Sequence, residues 1–128
     1  MKEILPKNSK KLLRHLVIVL GDQLDRHSSA FNGFDSSADE VWMAEVQEEA
    51  EHVWSSKARL VMFLSAMRHF AASLREEGIS IYYRKIDSPQ NSQGVTTELV
   101  QYLKKISPQK LIITEPGEYR LKKAFIDI

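Results

Sequence analysis

Four short apolar runs in this 128-residue chain are each followed within a few residues by a carboxylate. HLVIVLGDQL, at 15–24, places Gly21, Asp22 and Gln23 after the first run, and EVWMAEVQEE, at 40–49, places Glu45, Val46, Glu48 and Glu49 after the second. Asp87 follows ISIYYRKI, with Lys85 inside that run, and Glu115 and Glu118 follow KLIIT. An ionised carboxylate accepts hydrogen bonds and donates none. Collected at one rim, such groups repel a pyrophosphate and suit a ligand offering N–H and O–H donors from an otherwise apolar ring, such as a polyhydroxylated heterocycle. Neither GxGxxG nor GxxxxGKS/T follows the first run, so the backbone phosphate cradle is missing too. Two other uses of the acids stand beside this one. Asp22 and Glu45 could share a divalent metal, or Asp22 could cap a turn while Glu48, Glu49 and Glu51 lie on a solvated loop.

The remaining reactive side chains form no recognisable machinery. His15, His27, His52 and His69 lack metal-ligand spacing, and surface or packing roles are expected for them. No GxSxG turn is present. Zero cysteines exclude disulfides, thiolate catalysis and a cysteine-held cluster within this segment. Trp42 reads as core, and Trp54 as core or as a cover over a bound ring. The pairs Lys104-Lys105 and Lys122-Lys123 read as solvated helix faces. A net charge of +1 gives no field demanding nucleic acid or an anionic surface. No apolar run approaches the roughly 20 residues of a membrane helix, and a cytoplasmic protein without membrane contact is expected.

The elements that must position the acids follow from periodicity. LVIVL, at 16–20, is continuous and β-branched, as in a strand covered on both faces. Residues 22–39 form a polar loop with a helical turn near Ala30 and Phe31, and Glu40–Ala44 is the second strand. From Lys57 to Glu77 apolar residues recur every three or four positions, predicting an amphipathic helix closed by Gly78. Ile79–Ile86 is a third strand with one face partly wet, and 87–94 is turn chemistry. A second helix runs over Thr96–Ile106, capped by Thr96 or Thr97 and stopped by Ser107 and Pro108. Lys110–Thr114 is the fourth strand, followed by a short helical pattern over 118–126.

Strands alternating with helices define an α/β fold, a three-layer Rossmann-like open parallel sheet in the order 3-2-1-4 with helices on both faces. Its ligand crevice falls at the carboxyl ends of the strands. Residues 1–14 read as a basic N-terminal arm and 15–128 as the α/β domain. The final helical pattern should feed a further edge strand, whose absence marks the chain as the front of a longer protein.

LVIVLGDQL, AEVQEEAEHVWSSKARLVMFLSAMRHFAASLREEG, YYRKID and TEPGEYR together resemble the N-terminal antenna domain of the deoxyribodipyrimidine photolyase-related proteins. This is the iron–sulfur bacterial branch of the cryptochrome/photolyase family, which includes prokaryotic (6-4) photolyases. The resemblance implies an α/β domain that binds 6,7-dimethyl-8-ribityllumazine as a light-harvesting chromophore. A C-terminal helical domain, absent here, would hold FAD and a 4Fe-4S cluster and contact damaged DNA, so this segment would itself be non-catalytic within a DNA-repair lyase. Carried over by motif, Gly21, Asp22, Glu45 and Glu49 surround the chromophore. Asp22 or Glu49 accepts from the ribityl hydroxyls, and backbone amides near Gln23 and Val46 address the ring carbonyls. The rival expectations are a stand-alone metal- or nucleotide-dependent enzyme using Asp22 and Glu45, and a scaffold with an empty crevice.

Overall fold

A computed structural model of the chain describes residues 11–49 and 56–114. The arm's residues 1–10, Glu51, His52, Trp54 and everything expected beyond Thr114 lie outside the described residues. The strands are β1 (Lys11–Ile18), β2 (Glu40–Ala44), β3 (Ile81–Arg84) and β4 (Ile106–Ile113). Among the described residues are the helices α1 (Lys57–Glu76) and α2 (Val95–Leu103) and a 3-10 turn at Ser29–Phe31. All strand pairs are parallel and the order is β3-β2-β1-β4, as expected.

Alternation along the central strands builds two cores. Leu16, Ile18 and Leu20 point with Trp42, Ala44 and Val46 toward Val95 and Leu99 of α2. Val17 and Val19 point with Val41 and Met43 toward Met67, Ala71 and Leu74 of α1, joined by Ala30 and Phe31 of the 3-10 turn. Because β1 and β2 have apolar neighbours above and below, their sequences read as unbroken hydrophobic runs. Among the described residues β3 pairs with β2 alone, and its four residues are only half-buried.

Several boundaries differ from expectation: β1 ends at Ile18 rather than Leu20, β3 covers Ile81–Arg84 rather than Ile79–Ile86, and α2 stops at Leu103 rather than Ile106. β1 begins at Lys11, so residues 11–14, read as part of the arm, belong to the sheet, where Leu13 stands opposite Pro108. Charged residues at a strand's start hid this extension. β4 likewise begins at Ile106 and contains Ser107 and Pro108, residues expected to end the preceding helix. Proline lacks only a donor, and an edge strand tolerates that loss. α2 starts at Val95, and neither threonine caps it. Gly94 is the cap residue without a side-chain bond, and Glu48 Oε2 accepts the Val95 N–H at 3.1 Å from the neighbouring loop.

The ends of α1 agree with the sequence. Ser56 accepts the Arg59 N–H at 3.3 Å. Gly78, at φ +81°, sends its N–H to Arg75, while Ile79 reaches back to Leu74, both at 3.0 Å. This pairing is a Schellman ending, and it requires a residue tolerant of positive φ.

Candidate functional site

Past β1 the buried Val19 and Leu20 lead into a turn in which the Gln23 N–H returns to the Leu20 carbonyl at 3.0 Å. Past β2, residues 47–49 adopt helical conformation and carry Glu49 against that turn. Glu49 Oε1 accepts the Gly21 N–H at 2.6 Å, with Glu49 only 7% exposed. Phe63 of α1 closes the other side. A β-carbon added to Gly21 would stand 2.2 Å from Phe63 Cζ and 2.9 Å from Glu49 Oε1. Gly21 is therefore a glycine for lack of room. In the sequence Phe63 belongs to the helix's apolar stripe, a pattern that does not mark it as a neighbour of Gly21.

Burial pushes the Glu49 carboxyl up to about 7, against the opposing pull of the Gly21 N–H and with help from the charges of Asp22 and Glu48. Near neutral pH it is divided between a carboxylate that only accepts and an acid that also donates. Asp22 is exposed beside it. The structure thus brings Gly21, Asp22 and Glu49 together at the carboxyl ends of β1 and β2.

The Glu45 carboxylate and the Gln23 amides are engaged within the fold, and the Val46 side chain is in the core. Glu45, expected to face the ligand, has no exposed surface: Arg68 Nε and one terminal nitrogen donate to it at 2.7 and 2.8 Å. The Tyr83 hydroxyl and the Ile86 N–H, the latter at 3.0 Å, complete its shell. Burial alone would raise this carboxyl, but Arg68, Tyr83 and Ile86 outweigh it and hold it below the ordinary glutamate range. Glu45 is a structural anchor, which also removes the Asp22–Glu45 metal pair. The Gln23 N–H is spent on Leu20, and its side-chain amide donates to the Thr114 carbonyl at 3.0 Å, tying the β1 turn to the end of β4. The amide at this turn that meets a carboxyl is Gly21's. Val46 contributes its side chain to the core under α2.

The segment after β3 frames the site, a role that its turn-like composition did not reveal. Asn91 Nδ2 donates to the carbonyls of Glu45 at 2.7 Å and Lys85 at 2.9 Å. Gln93 Oε1 accepts the Gln47 N–H at 2.9 Å, and the Gln93 carbonyl accepts the Glu48 N–H at 3.2 Å. The acidic rim is consequently less acidic than its residue count implied. Glu45 is neutralised, Glu48 caps α2, and Asp22 with Glu49 remain at the Gly21 turn.

An open parallel sheet in the order β3-β2-β1-β4, with a buried carboxyl at the first strand's turn, defines a Rossmann-like α/β domain. Residues 17–128 match the family described as deoxyribodipyrimidine photo-lyase-related protein, and the chain belongs to that family. It is similar to a protein named (6-4) photolyase from Agrobacterium fabrum, with 37% identity over 110 residues. That match covers 86% of this chain but 22% of the relative, so the chain spans about a fifth of its relative's length.

Proposed function

We propose that this chain is the antenna-chromophore-binding domain of a photolyase-related flavoprotein and that it holds a ribityllumazine at the Gly21–Glu49 corner. The observation carrying this reading is the buried Glu49 carboxyl on the Gly21 amide, with the Phe63 ring packed close to the same glycine. A neutral heterocycle with a polyol chain offers donors to such a carboxyl and an apolar face to such a ring. A carboxyl that itself carries a proton near pH 7 also serves a ring carbonyl. The residues present therefore fit the group: Glu49 and Asp22 for hydroxyls, the Gly21 turn for the ring edge and Phe63 for its face. When bound, the pigment would supply absorption and pass its excitation to a flavin by dipole coupling. The protein's own task is to fix the ring's position and angle, which needs no nucleophile or acid–base pair.

FAD, the 4Fe-4S cluster and contact with damaged DNA are assigned to the parent's helical domain. This sequence has no cysteine to ligate a cluster. Light-driven repair in a cytoplasmic parent is part of the same proposal. No described helix is long and apolar enough to cross a membrane.

The test is direct binding. The purified chain is titrated with 6,7-dimethyl-8-ribityllumazine while the ligand's fluorescence and visible absorption are followed. Saturable binding that falls at least roughly tenfold in Glu49→Ala is expected, since a hydrogen bond to a buried carboxyl is lost. Failure of the wild-type chain to bind the pigment would overturn the reading.

A further inference from the structure

The geometry points to Gln93 as a positioning residue for this site: its side chain and carbonyl hold the 47–49 segment where Glu49 meets Gly21. This inference deepens the proposed chromophore reading and rests on it for the identity of the ligand.

Gln93 is the non-glycine residue with positive φ among the described residues, at +67°. The left-handed region is costly for a side chain that neither is glycine nor bonds its own backbone like asparagine. Gly94 is next in the chain, yet it sits at an extended φ of −123° while the glutamine occupies the strained position. The glycine has its own duty, because a β-carbon there would lie 3.2 Å from Glu48 Oε2.

The side chain explains why the strain persists. Gln93 Nε2 donates to the Ile86 carbonyl at 2.9 Å while Oε1 accepts the Gln47 N–H at 2.9 Å. A carbonyl accepts and an amide N–H donates, so the two partners fix the amide's orientation. The Gln93 carbonyl accepts the Glu48 N–H, and its own N–H donates to Asn91 Oδ1 at 2.7 Å. One residue thus links the end of β3 to the two residues immediately before Glu49. Glycine would relax the backbone but make neither side-chain bond. Asparagine tolerates the conformation but is one methylene short of spanning both partners. Strain kept where relief stands one residue away points to a positional purpose.

Gln93→Gly separates stability from positioning. Relief of the strained φ offsets the lost bonds, so its melting temperature should stay within about 3 °C of the wild type's. Lumazine affinity should drop roughly tenfold. A ligand-independent readout accompanies this: the Glu49 side-chain carboxyl is followed by NMR as pH is varied. In the wild type its midpoint is expected at about 7, with Asp22 and Glu48 as the charges facing it. In Gln93→Gly it should fall toward the ordinary glutamate range as the 47–49 segment opens to water. Should Gln93→Gly fail to fold, Gln93→Asn carries the same expectations. Unchanged affinity and an unchanged Glu49 midpoint in a folded variant would overturn the proposal. If the wild type binds no lumazine but the midpoint still falls in the variant, the ligand assignment fails and the positioning role stands.

Discussion

Arg68 and Glu45 meet as a fork, with bonds of 2.7 and 2.8 Å to a carboxylate that has no exposed surface from an arginine whose side chain is 46% exposed. Replacing Arg68 by alanine leaves the carboxylate buried without its counter-charge. The expected loss is about 2–4 kcal/mol, toward the low side for a broken buried pair because nearly half of the arginine side chain already faces water. Urea unfolding measures it. Adding Glu45→Gln should recover part of the loss, since a neutral amide needs no cation; a double variant as unstable as Arg68→Ala alone would contradict this account.

Glu49 makes stability pH-dependent in the unusual direction for an acid. Its folded midpoint of about 7 lies above the ordinary value of 4.5, so between these the native state holds a proton that the unfolded chain has released. Stability is therefore greatest below pH 4.5 for this group and falls as pH rises toward 7, by on the order of 3 kcal/mol. Urea midpoints recorded from pH 5 to 8 should decline in the wild type. In Glu49→Gln they should lose most of that slope.

Asp39 works the other way. It accepts from Arg14 Nε at 2.9 Å, the Asp35 N–H at 2.8 Å and the His15 N–H at 3.1 Å. The Arg14 bond is the largest influence and holds the carboxyl at about 2, below its ordinary 3.8. Its contribution is complete above pH 3.8 and disappears as pH drops toward 2. Asp39→Asn should cost on the order of 2 kcal/mol at neutral pH. The gap between wild type and variant should close in acid, and a constant gap down to pH 2 would be inconsistent with the ion pair.

Gly21→Ala tests the crowding at the site. The added carbon meets Phe63 Cζ at 2.2 Å, so the ring must swing or the turn must move. A loss of about 1–3 kcal/mol is expected, typical of overpacking. Thermal unfolding of Gly21→Ala in a Phe63→Leu background should show a smaller penalty than in the wild type. Equal penalties in the two backgrounds would place the cause elsewhere.

The sheet was legible because its information is local. The continuous apolar runs at Leu16–Leu20 and Val41–Ala44 match strands buried on both faces, and Gly78 closes α1 with a residue whose backbone preference suits that position. The strand starts at Lys11 and Ile106 were obscured by charged residues and a proline that edge pairing tolerates. At the site, proximity to strand ends picked out Gly21, Asp22 and Glu49, which the fold brings to one corner, but also drew in Glu45. A carboxylate's position in sequence does not disclose whether an arginine 23 residues later will claim it. Gln93 was harder still, since DSPQNSQG reads as turn composition whichever of its amides bridges the loops. Its function is encoded in a dihedral angle and two bond directions, and neither leaves a periodic trace.

The division of β1 side chains into leucine and isoleucine on the α2 face and valine on the α1 face gives the strand a built-in reading frame. Sliding it by one residue against its neighbours would thrust the wider group into the narrower layer and leave gaps in the other. Insertions or deletions of a single amino acid inside Leu16–Leu20 should accordingly be rejected far more severely than same-size swaps at any one of those positions.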